Sequence, residues 1–117
     1  MKQILWTREE LILILDLYLK NRETYYKIPR DTLAKYSAYL RKMHGIEVNE
    51  SSNFRSLKSV EIRLRNYTSV DEYWLQRGNK GLHNSPTADF RKIWIEFQEH
   101  PEDVSQIAEE IRRSLLN

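Results

Sequence analysis

"WTREELILILDLYLKN", residues 6–21, carries eight apolar side chains in the nine positions 11–19, interrupted only by Asp16. Ahead of that run, Thr7, Arg8, Glu9 and Glu10 have the form of a capping box. The Thr7 hydroxyl can accept from the backbone three residues on, while the Glu10 carboxylate reaches back to Thr7. Trp6 and Leu11 stand where a hydrophobic staple closes the start of such a helix, which is expected to extend to Asn21. A helix that is apolar on every side has no solvent face, so it belongs at the centre of a domain or supports a second interface. Asp16 must then reach out through a gap or find a partner, because an unpaired buried carboxylate is costly. A paired, structural Asp16 is the expectation.

What surrounds that helix follows from the rest of the chain. Its 117 residues suit one domain, 1–117, with a single core. Three glycines and three prolines are too few to punctuate many short strands. Residues 21–29 read as a loop holding Tyr25 and Tyr26. Pro29 or Asp31 can open a second helix with Leu33, Tyr36 or Ser37, and Leu40 along one face, ending near Met43 at Gly45. After a polar connection, 45–52, Ser52 or Asn53 can cap a third helix with an inward stripe of Phe54, Leu57, Val60 or Glu61, Leu64 and Tyr67. Residues 68–86 look irregular and include Trp74, which suits either closing the core or stacking on a base. A fourth helix follows Pro86 with Phe90, Ile93 or Trp94, and Phe97 inward. A fifth, about 101–116, opens on Pro101, Glu102 and Asp103, which suit a helix N-terminus. The expected fold is mainly α, a compact bundle of about five helices with a helix-turn-helix-like centre.

Several function classes find no support. The longest apolar runs fall short of the roughly 18 residues that span a bilayer, and residues 1–6 lack the pattern of a secretory signal. With no cysteine, disulfides and thiolate metal sites are excluded, and a cytoplasmic setting is expected. His44, His83 and His100 lie far apart without metal-ligand spacing, and neither a phosphate-binding loop nor a nucleophile elbow is present. No catalytic residue, metal or cofactor is therefore expected.

Charge distribution is more informative than the formal net charge of +2. Residues 20–80 hold 13 lysines and arginines against 7 acids. The third helix places Arg55, Ser59 and Arg63 in one row four residues apart, with Lys58, Arg65 and Asn66 beside it. Arginine forks bind phosphate or a guanine edge in two bonds, and short polar residues let a helix approach DNA closely. Arg77 and Lys80 flank Gly78 in the loop that follows, where glycine would let backbone and cation approach phosphate. The commoner role of such a charge run is a solvated helix face.

Three stretches carry a family resemblance: "WTREELILILDLYL" (6–19), "FRSLKSVEIRLRNY" (54–67) and "GNKGLHNSPTADFRKIWIEF" (78–97). In order and spacing they resemble the N-terminal domain of McrA-type, ScoMcrA-like HNH restriction endonucleases, over about residues 5–98. Phe54, Arg55, Val60, Asn66, Gly81, Leu82 and Trp94 match the family pattern. Where the family often has an Asn-Pro-Asn-Gly turn after Phe-Arg, this chain has Ser56, Leu57, Lys58 and Ser59. The resemblance implies recognition of foreign or modified double-stranded DNA in restriction, with a nuclease domain or subunit as companion. The expected DNA contacts are Arg55, Lys58, Ser59, Arg63, Arg65, Asn66, Arg77 and Lys80. The alternative is a protein-interaction adaptor that uses the apolar first helix and the acidic fifth.

Overall fold

A computed structural model describes residues 5–45, 54–78 and 89–116. The decisive stretch forms α1, Arg8–Lys20, and its capping box is complete. Thr7 Oγ1 accepts from the Glu10 N–H at 3.2 Å, and Glu10 Oε1 accepts from the Thr7 N–H at 3.0 Å. Residues 10–18 are all buried. At the far end, Asn21 is the C-cap and donates from its side chain to the Leu17 carbonyl.

The helices around α1 explain that burial. They are α2 (Arg30–Met43), α3 (Leu57–Thr68), a single turn α4 (Glu72–Leu75), α5 (Asp89–Phe97) and α6 (Pro101–Leu116), with a 3-10 turn at Tyr25–Lys27. α1 packs against α3, α5 and α6, and α2 packs on α3 and α6. Among the described residues all regular structure is helical, so the mainly α expectation stands. The second helix keeps its expected inward set, Leu33, Tyr36, Ser37 and Leu40, and ends at Met43 just before Gly45 in the left-handed region.

Buried aromatic rings join α1, α3 and α5. Tyr18 meets Tyr67 at 5.7 Å and Trp94 at 6.1 Å between centroids, and Phe90 sits edge-on to Tyr67 at 5.9 Å. Both tyrosine hydroxyls are used: Tyr67 donates to the Leu11 carbonyl at 2.9 Å and Tyr18 to Asp71 Oδ2 at 2.6 Å. Outside this core, Arg8 grips Glu96 with two bonds, 2.7 and 2.5 Å, and so ties α1 to α5.

Asp16 is paired as expected. Its Oδ2 accepts from Arg112 of α6 at 2.9 Å and lies 3.0 Å from the Lys20 ammonium. Arg112→Met should lower stability by about 1–2 kcal/mol in urea unfolding, less than the loss of a sole partner because Lys20 remains. A loss above about 3 kcal/mol would mean that Lys20 contributes nothing to holding the charge.

Two expectations need correction. The third helix does not begin at Ser52 or Asn53, which lie outside the described residues; its N-cap is Ser56, whose Oγ accepts from the Ser59 N–H. Phe54 and Arg55 belong to the preceding turn, with Arg55 at φ 48°. The 55/59/63 row therefore does not exist as a helical ridge. Residues 68–78 are also less irregular than expected. Asp71 caps α4 by accepting from the Tyr73 N–H at 2.9 Å.

Candidate nucleic-acid interface

Arg55 is an internal residue, 6 % exposed. A non-glycine residue at φ 48° is strained, and a dense set of contacts holds it there. Its Nε donates to Glu10 Oε2 at 2.7 Å, and its Nη2 donates to Glu10 Oε1 at 3.1 Å and to the Leu5 carbonyl at 3.2 Å. The guanidinium lies 4.4 Å from the ring centres of both Trp6 and Phe54. The turn's carbonyls are held too: Ser37 Oγ donates to Arg55 O at 2.5 Å, and Arg41 Nε donates to Phe54 O at 2.8 Å. The Phe-Arg pair is thus a latch joining the start of α1, the side of α2 and the approach to α3.

Glu10, fully buried, is the counter-charge. Burial alone would raise its pKa, but the bonds from Arg55 and the Thr7 N–H, with His44 Nε2 at 3.0 Å, outweigh that and hold it below the usual carboxylate range. Sequence reasoning took Glu10 as a cap only. It is a cap and a charged core residue at once.

The other expected contacts divide into three groups. Asn66 is buried and Arg63 is half-buried, its guanidinium 5.3 Å from the Trp6 ring centre. Burial lowers the Arg63 pKa, with the nearby Arg55 charge acting the same way. Neither residue lies on an outward ridge. Lys58 and Arg65 do: both are exposed, seven residues apart on α3 and so on one face, with Ser59 half-exposed beside them. Arg77 is exposed at the end of α4, folded back so that it lies 3.6 Å from the Tyr73 ring centre and donates to the Tyr73 carbonyl at 2.7 Å. Lys80 lies outside the described residues.

Two depressions border the α3 ridge. One, open and about 730 Å³, is lined by Arg30, Ser56, Leu57, Lys58, Ser59, Glu61 and Ile62. The other, about 270 Å³, runs between the 3-10 turn and α3, with Ile28, Leu33 and Leu64 in its lining, Tyr25 and Tyr26 on the turn side, and Glu61 and Arg65 on the helix side. Glu61 is common to both. The tyrosines continue into a chain of rings: Trp74 is edge-on to Tyr25 at 5.3 Å, to Tyr26 at 6.2 Å and to Tyr73 at 5.1 Å. Arg22 and Arg77 lie over Tyr73, and Lys27 over Tyr26. Trp74 itself is anchored, its Nε1 donating to the Arg22 carbonyl at 2.8 Å, which matches the core-closing role.

What the sequence missed is this aromatic-basic surface. Lys27 and Arg30 fall in the expected loop and at the start of the second helix, and only the fold brings Arg30 to the groove of Lys58 and the turn of Tyr26 and Lys27 to the depression of Arg65. Among the described residues, the group of three His, Asp and Glu side chains close enough to share an ion is His100, Glu102 and Asp103, all exposed at the start of α6, where acids suit the helix dipole. No helix of the described residues is long and apolar enough to cross a membrane. Compared with family models, with curated proteins and with solved structures, the chain matches none of them.

Proposed function

We propose that this chain is a non-catalytic module that binds double-stranded DNA through the outward face of α3 and the basic turn next to it. The observation that carries the reading is the joint exposure of Lys58 and Arg65 on one helical ridge, with the single acid Glu61 between them, Ser59 to one side and Arg30 across an open groove. Affinity comes from neutralised phosphates, and choice of site from side chains at the ridge. The likeness to McrA-type nucleases, on the stretches quoted above, supports a recognition role in restriction or defence against foreign or modified DNA, in the cytoplasm, with a nuclease as companion. Arg55, Arg63 and Asn66 act in this reading as supports of α3 rather than as DNA contacts.

The adaptor alternative is weaker, because the apolar run of α1 that it required is buried over residues 10–18. What remains for it is the exposed acids of α6, Glu102, Asp103, Glu109 and Glu110.

The test is a salt titration of binding to plain, 5-methylcytosine and phosphorothioate duplexes. Each phosphate contact contributes about 0.9 to the slope of log K against log salt. Lys58→Ala with Arg65→Ala should reduce that slope by nearly two contacts, about 1.8, and weaken binding at least about tenfold at low salt. An unchanged slope in the double variant would sink the assignment.

A further inference from the structure

The depression of about 270 Å³ is built unlike a phosphate site. Its lining combines the apolar Ile28, Leu33 and Leu64 with two tyrosine rings, one acceptor, Glu61, and one cation, Arg65. Tyr26 is 62 % exposed, so a face of that ring is open to a ligand. The Glu61 carboxylate repels an anion that enters directly, whereas it accepts hydrogen bonds from an amino group. The occupant must therefore be flat and mostly apolar, carry an N–H donor edge and be attached to negative charge for Arg65 and the groove beyond. A nucleobase still joined to its strand satisfies all of these.

We propose that this cavity receives one unstacked base of bound DNA. The ring lies against Tyr26, the amino edge of a cytosine or adenine faces Glu61, and the flanking phosphates run past Arg65 toward Lys58 and Arg30. Carboxylates recognise the cytosine amino group in this way, and aromatic side chains hold extruded bases by stacking. A thymine, which presents the O4 carbonyl where cytosine has its amino group, is disfavoured by the same carboxylate. The inference rests on the DNA-binding reading above and adds to it a specific subsite.

Fluorescence anisotropy with three duplexes tests it: one fully paired, one with a single bulged cytosine and one with a single bulged thymine. The bulged cytosine should bind about tenfold tighter than the paired duplex, near the lower end of what one base–aromatic stack contributes. Tyr26→Ala should abolish that gain, so that bulged and paired duplexes bind it alike. Glu61→Gln should keep the gain but narrow the preference for cytosine over thymine. Paired-duplex binding with no bulge gain, or a gain that survives Tyr26→Ala, overturns this subsite alone. Failure to bind any of the three overturns it together with the reading on which it rests.

Discussion

Glu10→Leu should destabilise the chain by about 3–5 kcal/mol, because it leaves the Arg55 guanidinium enclosed without its counter-charge. Arg55 cannot turn to water: it is buried with the Trp6 and Phe54 rings against its fork, and the carbonyls of its own turn are held by Ser37 and Arg41. The reverse change, Arg55→Leu, strands Glu10 with only the Thr7 N–H and His44, and should lose a similar amount. Combining the two removes both charges, so the double variant should be more stable than the sum of the single losses by about 2 kcal/mol or more. Urea unfolding followed by circular dichroism measures all three. Additive losses would show that the two charges do not act on each other. This cycle also bears on DNA binding: loss of binding by Arg55→Leu should follow the fraction unfolded and vanish where the variant is held folded.

The latch explains what was legible in the sequence and what was not. α1 could be read almost to the residue, since its cap, its apolar run and its buried acid are local signals. The inward face of α2 was equally plain from the 3.6-residue spacing of Leu33, Tyr36 or Ser37, and Leu40. The start of α3 was not, because Phe54 and Arg55 continue the amphipathic pattern of 57–67 backwards by one turn. Periodicity cannot distinguish an arginine on a helix ridge from one in a left-handed turn whose partner lies 45 positions away. The available signal was Ser56, as good a cap as Ser52 or Asn53 and immediately ahead of Leu57. The basic surface followed the same logic in reverse. Lys58 and Arg65 were legible as two of the expected contacts, but Lys27 and Arg30 join them only through the α2–α3 packing, which no local pattern encodes.

Acid should weaken this fold through a second buried carboxylate, and Asp71→Ala should remove most of that contribution. Asp71 is fully enclosed and accepts from the Tyr18 hydroxyl, from Arg22 and from the Tyr73 N–H. Burial pushes its pKa up, but those three donors outweigh it and the net position is below the ordinary value. A carboxyl whose folded pKa is depressed binds its proton more readily in the unfolded chain. The stability that it supplies is therefore complete above the unfolded value of about 4 and is lost as pH falls through the folded one. At neutral pH, Asp71→Ala leaves the Tyr18 hydroxyl without its acceptor and removes the cap of α4, so a loss of about 3–4 kcal/mol is expected. Urea unfolding of both proteins between about pH 7 and about pH 3 should then show the gap closing toward acid, as wild-type Asp71 takes up its proton. Tyr18→Phe, which removes one donor and keeps the carboxylate with Arg22 and the Tyr73 N–H, should cost only about 1 kcal/mol. A gap between wild type and Asp71→Ala that stays constant with pH would mean that Asp71 acts by shape and capping alone, and that its negative charge does not hold the tyrosine and the arginine to the end of α3.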